Sequence, residues 1–221
     1  MARPVRFSYS SWKLFEQCKR AWKHRYIENL PDKIGPAANR GSRVHLAGER
    51  YLKGEIPAES LPIEYKSFLE TMQLMKTLGA KSETVWMVDH SWNPVDNEMN
   101  AWLKAVIDVH YLMGTELHLI DLKTGRFNKR YDAQLEFYAV MAASVTMAES
   151  VHVRCFYLDE RSVGNEATYK REWLLALRGP WEERFIQLTM EELFFATPNY
   201  GCKFCAYAQS KGGPCDMEMK P

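Results

Sequence analysis

Two β-rich segments separated by one tight turn constrain the fold of this chain more than any other feature. AWLKAVIDVHYLM (101–113) and ELHLIDLK (116–123) partly alternate between apolar and polar residues and are joined at MGTE (113–116). A connection this short that contains glycine predicts a β-hairpin. TVWMVDHSW (84–92), earlier in the chain, has the same β-rich character. Together these segments predict the antiparallel start of a sheet.

Helical periodicity precedes these strands. Apolar residues recur at helical spacing in segments 12–30, 39–54 and 63–78, and Ser10 or Ser11 is the expected N-cap of the first helix. Positions 65, 68, 72 and 75 form the apolar stripe of the third segment, which should end at Gly79.

Helices and strands alternate after the hairpin. Segment 130–147 predicts a long helix, 151–158 and 167–175 predict strands, and a last helix is expected from about Trp181 to Phe195. The order predicts an α/β fold, a mixed sheet flanked by helices. We expect one domain over residues 1–221, with an N-terminal helical portion (1–80), a sheet core (81–175) and a C-terminal helix with a cysteine-rich tail (176–221).

Composition limits the classes of partner and compartment. The 221 residues carry 29 basic and 28 acidic side chains, so a nucleic-acid surface would have to be a local patch. No apolar run is long enough to span a bilayer, and the first residues lack the apolar core of a secretory signal. Five cysteines, three of them in the last twenty residues, favour metal or cluster binding in a reducing compartment. We therefore expect a cytoplasmic protein.

Three charged residues on the predicted hairpin indicate a site. Asp121 and Lys123, two positions apart on a strand, should project to the same side, and the hairpin brings Asp108 beside Asp121. Two close carboxylates repel each other, and a divalent cation such as Mg²⁺ or Mn²⁺ removes that cost. From these residues alone, ordinary salt bridges remain the alternative, with Lys123 for Asp121 and with Lys104, His110 or a helix residue for Asp108.

The segments AVIDVHYL (105–112), LIDLKTG (119–125) and QLEFY (134–138), in this order and at short separation, resemble the core of the PD-(D/E)XK nucleases, and in particular the RecB-like exonuclease branch. GSRVH (41–45) resembles the helical histidine motif of that branch, and segment 8–27 resembles its N-terminal helix. The resemblance implies the catalytic residues Asp108, Asp121, Lys123, Gln134 and Tyr138, and the metal ligands His45, Asp108, Asp121 and the main-chain carbonyl of Leu122.

The activity that this resemblance implies is Mg²⁺- or Mn²⁺-dependent hydrolysis of DNA phosphodiester bonds. We expect an exonuclease of DNA recombination, repair or phage DNA metabolism, acting on single strands or duplex ends, with a recombination or replication protein as a candidate partner. A structure-specific or nicking endonuclease and an inactive DNA-binding or assembly module are the alternatives. Glu83 and Asp89 are left out of the expected site. The DNA contacts are expected from basic residues next to it, namely Arg40, Arg43, Lys104, Arg126, Lys129 and Arg130.

The C-terminal segment NYGCKFCAYAQSKGGPC (199–215) contains a close pair, Cys202 and Cys205, followed by Cys215. In RecB-like nucleases that include CRISPR-associated exonucleases, a cysteine of the N-terminal helix joins three C-terminal ones to bind a [4Fe-4S] cluster. The resemblance implies Cys18 as that fourth ligand. Structural Zn²⁺ is the main alternative, because four thiolates also form a closed zinc site. A tail that binds no metal or has oxidised cysteines is a further one. Cys155, in an apolar strand, is expected to be a core residue.

Overall fold

The computed structural model describes residues 6–32 and 35–217. The chain forms two compact units, one of residues 35–178 and the other of residues 1–34 and 179–221. A single nuclease domain over the whole chain, with the portions 1–80, 81–175 and 176–221, stays a prediction. Within the described ranges, no helix is both long and apolar enough to cross a membrane.

The α-helices of the described residues are α1 (Tyr9–Gln17), α2 (Lys19–Tyr26), α3 (Pro36–Leu52), α4 (Leu69–Thr77), α5 (Asp132–Val145), α6 (Arg171–Ala176) and α7 (Arg178–Met190). The strands are β1 (Lys81–Val88), β2 (Leu103–Met113), β3 (Glu116–Lys123), β4 (Ser150–Tyr157) and β5 (Ser162–Lys170). Short 3-10 helices cover Ala58–Ser60, Ile63–Phe68, Lys129–Tyr131, Tyr200–Phe204 and Gln209–Lys211.

One five-stranded sheet, in the order β1-β2-β3-β4-β5, organises the unit of residues 35–178. β3 and β4 pair in parallel, whereas the other neighbours are antiparallel, and α5 lies in the crossover between β3 and β4. Gly114 has a φ of 59° in the β2–β3 hairpin, a backbone conformation that glycine adopts without strain. The prediction of a mixed α/β sheet flanked by helices is confirmed.

The start of the third predicted helix, 63–78, differs between prediction and structure. Ile63–Phe68 is a 3-10 helix, and the α-helix begins only at Leu69. The apolar stripe is nevertheless buried as expected, at Tyr65, Phe68, Met72 and Met75. These residues pack with residues of α3 and with β-strand residues such as Ile120 and Leu122 in one hydrophobic cluster. The hydroxyl of Tyr65 donates a hydrogen bond of 3.0 Å to the carbonyl of Val44. This contact anchors α3 at the residue immediately before His45.

The expected strand at 167–175 is wrong in its second half. β5 ends at Lys170, and Arg171–Ala176 is helical. The aromatic and branched residues of this stretch suit a strand or a short helix, and burial of Leu174 in α6 decides the outcome.

Aromatic side chains form the core of the second unit. Trp22 of α2 is fully buried and stacks on Phe194, with ring centroids 5.8 Å apart, and Phe7 stacks on Phe185 of α7 at 6.2 Å. Ser8, rather than Ser10 or Ser11, caps α1, because its hydroxyl accepts a hydrogen bond from the Ser11 amide.

The first predicted helix is interrupted at Cys18. The backbone of Cys18 is extended, with φ −165° and ψ 109°, and separates α1 from α2. The Gln17 carbonyl there accepts a hydrogen bond of 2.9 Å from the side-chain amide of Asn199, and the Cys18 thiol accepts one from the Thr197 amide. A partner for each of these groups compensates for the break in the helix.

Candidate active site

Two acids and a histidine converge in an open groove of the sheet unit. Glu83 of β1 lies between Ser82 and Thr84, which pair with Val109 and Ile107 on either side of Asp108 in β2. His45 of α3 lines the same groove as the two acids. One ligand atom from each of the three residues lies within 4.8 Å of the others. The groove that they line has a volume of about 570 Å³. A carboxylate pair with an imidazole is a set of donors that suits a divalent cation such as Mn²⁺ or Mg²⁺.

Asp108 links the two strands of the hairpin. Its Oδ2 accepts a hydrogen bond of 2.7 Å from the main-chain N–H of Leu122, and the Nδ1 atom of His45 lies 3.6 Å from the same oxygen. Burial lowers the pKa of His45, but the hydrogen bond to Asp108 and the charges of Asp108 and Asp121 outweigh it, so this pKa is raised. The carboxylates thus attract positive charge to this position.

Asp121 and Lys123 share one face of β3, and their side chains form a salt bridge. Burial raises the pKa of Asp121, the nearby charge of Lys123 lowers it, and that of Asp108 raises it further, for a net upward shift. Burial alone would lower the pKa of Lys123, but the two carboxylates more than compensate and raise it. Lys123 therefore stays a cation at neutral pH.

Gln134 connects this ion pair to α5. Its Oε1 accepts a hydrogen bond from Lys123 at 3.4 Å, and its Nε2 donates to Oδ1 of Asp121 at 3.4 Å and to the hydroxyl of Tyr138 at 2.7 Å. Residues four apart on a helix lie on one face, which explains how Gln134 and Tyr138 reach each other. The ammonium of Lys123 also lies 4.4 Å from the ring centre of Tyr131.

The structure brings together all the residues expected to be catalytic. The side chains that cluster as candidate metal ligands, however, are not the same set as the predicted ligands. The close group is His45, Glu83 and Asp108, whereas the Asp121 carboxylate is engaged by Lys123. The sequence analysis left Glu83 out. Its proximity to Asp108 follows from the β1–β2 register, and the signal available beforehand was an acid on the strand next to the one that carries Asp108.

Glu83 also has an unusual backbone. Its φ of 49° lies in the left-handed region, which residues with a β-carbon rarely adopt. Burial raises the pKa of Glu83, and the charges of Asp108 and Glu49 raise it further. A strained residue with a half-buried carboxyl in a groove is typical of a functional position. Asp89, in contrast, lies outside this group and caps its own turn through the amides of Ser91 and Asn93.

The six expected DNA-contacting residues fall into two groups. Arg40 forms ion pairs with Asp159 and Glu64, and Lys104 donates to Glu98, so internal acids offset these charges. The other four side chains are exposed, on α3 or on the segment that follows β3, at Arg43, Arg126, Lys129 and Arg130. Their contacts with DNA stay a prediction.

The four candidate cluster ligands line one cavity in the unit of residues 1–34 and 179–221. The cavity measures about 230 Å³, and Cys18, Cys202, Cys205 and Cys215 all contribute to its wall. None of the four forms a disulfide bond. The pKa of Cys205 is raised, mainly by burial and also by the charges of the three other cysteines. Main-chain amides donate to the sulfurs of Cys18 and Cys202 at 3.5 and 3.4 Å. This donor set fits a group bound by four thiolates.

Cys155 is buried in β4, as expected. Its thiol lies 3.7 Å from Oδ2 of Asp121 and donates a weak hydrogen bond to it. Cys155 is therefore a core residue that also contacts the Asp121 carboxylate.

The fold and the site define an α/β protein in which strand-borne carboxylates, a lysine and a helical histidine meet at one sheet. The sequence matches the model of the PD-(D/E)XK nuclease superfamily over residues 6–210. The chain belongs to this superfamily and is a nuclease.

Individual proteins provide weaker evidence about this chain than the superfamily match does. No curated protein sequence matches the chain. A Eubacterium rectale protein named "Putative exonuclease" is 13% identical in a solved structure, with a TM-score of 0.51 over 99% of this chain and 91% of that one. The crystal structure of SSO0001 is 16% identical, with a TM-score of 0.49 over 100% of this chain and 90% of that one. At such low identity, the likeness to the Eubacterium rectale protein supports the fold alone.

Proposed function

We propose that the protein is a metal-dependent deoxyribonuclease that removes nucleotides from DNA ends. The observation that carries the proposal is the convergence of Asp108, Asp121 and Lys123 beside the groove that contains His45 and Glu83. The name of the similar Eubacterium rectale protein agrees with an exonuclease. Action in DNA recombination, repair or phage DNA metabolism, a cytoplasmic location and a recombination or replication protein as partner belong to the same proposal.

His45, Glu83 and Asp108 would hold a Mg²⁺ or Mn²⁺ ion, together with Asp121 and the carbonyl of Leu122. When bound, the ion supplies charge for the phosphate and lowers the pKa of a water molecule. The protein's own contribution begins with Lys123. Because the carboxylates raise its pKa, Lys123 keeps its proton, and it acts as a hydrogen-bond donor to the attacking water or to the phosphate rather than as a base.

Gln134 would hold the Lys123 ammonium in place. Its amide contacts Lys123 and Asp121 at once, so a rotation of either side chain breaks one of these hydrogen bonds. Arg43 and the exposed basic residues after β3 would neutralise phosphates of the DNA strand that enters the groove.

The test is digestion of end-labelled linear DNA and of covalently closed circular DNA with Mg²⁺, Mn²⁺ or EDTA. Lys123→Ala is compared with the wild type and with Lys66→Ala, a matched control because Lys66 is an exposed lysine in the same unit. We expect metal-dependent loss of the linear DNA only, unchanged in Lys66→Ala and absent in Lys123→Ala. Cleavage of the circle would favour an endonuclease, and full activity of Lys123→Ala would refute the assigned role.

The four cysteines would bind a [4Fe-4S] cluster, with structural Zn²⁺ as the alternative. Their shared cavity and the two N–H···S hydrogen bonds support a thiolate-bound group. The test is the iron, sulfide and zinc content of protein prepared without oxygen, together with its absorbance at about 400 nm. Cys18→Ser should lose the bound metal, whereas Cys155→Ser, outside the cavity, should keep it. Stoichiometric zinc without iron in the wild type, lost in Cys18→Ser and kept in Cys155→Ser, would replace the cluster by a zinc site.

A further inference from the structure

A second group of metal-ligating side chains lies on the sheet, apart from the active site. Glu116 and His118 belong to β3 and His152 belongs to β4, and one ligand atom from each lies within 4.8 Å of the others. His118 and His152 are direct partners in the parallel register. Along β3, His118 precedes Asp121 by three residues, about 10 Å at the usual rise of a strand.

The two imidazole rings stack on each other. The ring of His118 lies between those of Tyr111 and His152, with centroid distances of 4.8 and 4.6 Å and interplanar angles of 3° and 10°. Neighbouring strands therefore present their imidazoles side by side, and the carboxylate of Glu116 lies at the edge of this stack.

Three of the four imidazole nitrogens in this stack lack hydrogen-bond partners among the described residues. Both ring nitrogens of His118 and the Nε2 atom of His152 are shielded from solvent and form no hydrogen bond. Oε2 of Glu116 lies 3.2 Å from Nε2 of His152, which is ion-pair distance for a protonated imidazole, but the two atoms lack the geometry of a hydrogen bond. A buried polar atom without a partner is costly, and a metal ion would provide one for each imidazole.

The remaining nitrogen of His152 has a partner. Its Nδ1 lies 2.9 Å from the hydroxyl of Thr168 on β5, and a hydroxyl can accept a hydrogen bond from a protonated Nδ1. In that tautomer Nε2 offers its lone pair on the side of Glu116. An outer partner on the far nitrogen of an imidazole is the usual arrangement around a metal-bound histidine.

The charges around His118 favour its neutral imidazole form. Burial lowers the pKa of His118, the charges of His152 and Arg154 lower it further, and Glu116 opposes them. A neutral imidazole is the form that binds metals. Arg154 repels a cation, and the carboxylate of Glu116 offsets that repulsion.

We propose that Glu116, His118 and His152 form a binding site for a late first-row transition ion of the Zn²⁺ type. Two imidazoles with one carboxylate suit Zn²⁺, Ni²⁺ or Cu²⁺ better than Mg²⁺. Adjacent ligand atoms of tetrahedral zinc are about 3.3 Å apart, so the imidazole of His118 turns about its Cβ–Cγ bond on binding. The fourth position is left for water. The ion would link β3 to β4, the two strands on either side of the α5 crossover.

The site can be measured without any nuclease assay. The full chain is titrated with Zn²⁺ by calorimetry and equilibrium dialysis in excess Mg²⁺, and His118→Ala and His152→Ala are compared with the wild type. His90→Ala is the matched control, since His90 is an exposed histidine that stacks on Trp102. We expect each test variant to bind one zinc equivalent fewer, and His90→Ala to bind as many as the wild type. The cysteines are present in all four proteins, so their contribution cancels.

Two further variants keep the test valid if a histidine variant fails to fold. Glu116 is exposed, and Glu116→Gln should weaken zinc binding at the site at least about 10-fold without disturbing the core. Thr168→Val should weaken it about 10- to 100-fold, because the outer partner of His152 is lost. Equal zinc stoichiometry and affinity in the wild type and in the folded variants would overturn the proposal.

Discussion

The Asp121 carboxylate and the Lys123 ammonium form a salt bridge across two positions of β3, with 4% and 16% of their side chains exposed. The alternation of a strand puts both groups on one face, and the Cys155 thiol of β4 lies 3.7 Å from Oδ2 of Asp121. Each charge is therefore stable in the fold because the other is present. Loss of one partner should affect stability and chemistry in different ways.

Lys123→Met should destabilise the protein by about 3 kcal/mol, because it leaves a buried carboxylate without its cation. Adding Asp121→Asn to Lys123→Met should restore most of the lost unfolding free energy, since no isolated charge remains. Neither protein should cleave DNA. Urea unfolding combined with a cleavage assay checks both statements, and a double variant no more stable than Lys123→Met would contradict the first.

Gln134 should matter more for cleavage than Tyr138. Gln134→Ala removes the amide that holds both Lys123 and Asp121, and a displaced lysine should lower kcat about 100-fold. Tyr138→Phe removes one hydrogen bond to Gln134 and should lower kcat about 5-fold. Single-turnover cleavage at saturating DNA measures both effects, and equal losses would show that Tyr138 has a role beyond the position of Gln134.

Glu83 should combine functional importance with a cost in stability. Glu83→Gly relieves the left-handed backbone and removes a half-buried carboxyl, so we expect a gain of about 1 kcal/mol in the free energy of unfolding without metal. Cleavage should fall, and higher Mn²⁺ concentrations should be required. Glu83→Gln keeps the strained backbone and loses the charge, so it should impair cleavage without the gain in stability.

Glu49→Gln is the matched control for these variants, because Glu49 lines the same groove but forms an ion pair with Lys53. It should retain most of the activity. If Glu49→Gln impaired cleavage as much as Glu83→Gln, the effect would reflect the total charge of the groove rather than a ligand role of Glu83.

Local patterns in the sequence were sufficient to predict most of the secondary structure and the buried residues of the fold. The apolar stripe at Tyr65, Phe68, Met72 and Met75 is buried, and the hairpin turn at Gly114 follows from its spacing. One feature that the sequence did not predict depends on partners distant in the chain. The interruption of the first helix at Cys18 is compensated by contacts with Thr197 and Asn199, about 180 residues away, and no local signal carries that information.

The same reasoning applies to the site. The contact of Asp121 with Lys123 follows from strand alternation, and that of Gln134 with Tyr138 follows from helical spacing. Glu83 approaches Asp108 only through the register of two strands whose segments are separated by a loop, which the sequence does not specify.

Acid should weaken the unit that contains the cysteines through Glu191. A salt bridge with Lys19 lowers the pKa of Glu191 to about 2, burial opposes this, and the amides of Phe194 and Leu193 contribute hydrogen bonds. A carboxyl whose pKa is depressed in the fold stabilises it above the unfolded value of 4.5, and that stability is lost as the pH falls from 4.5 towards 2. The Lys19 side chain is 44% exposed, so solvent screening reduces the effect to about 1 kcal/mol.

Unfolding free energies measured from about pH 6 down to about pH 2 test this linkage. Glu191→Gln should be less stable than the wild type by about 1 kcal/mol at the upper end, and the difference should shrink towards zero at the lower end because the wild-type carboxyl becomes neutral as well. Glu192→Gln is the matched control, since Glu192 is the exposed neighbouring acid. A difference between Glu191→Gln and the wild type that stayed constant with pH would mean that Glu191 acts through packing rather than through its charge.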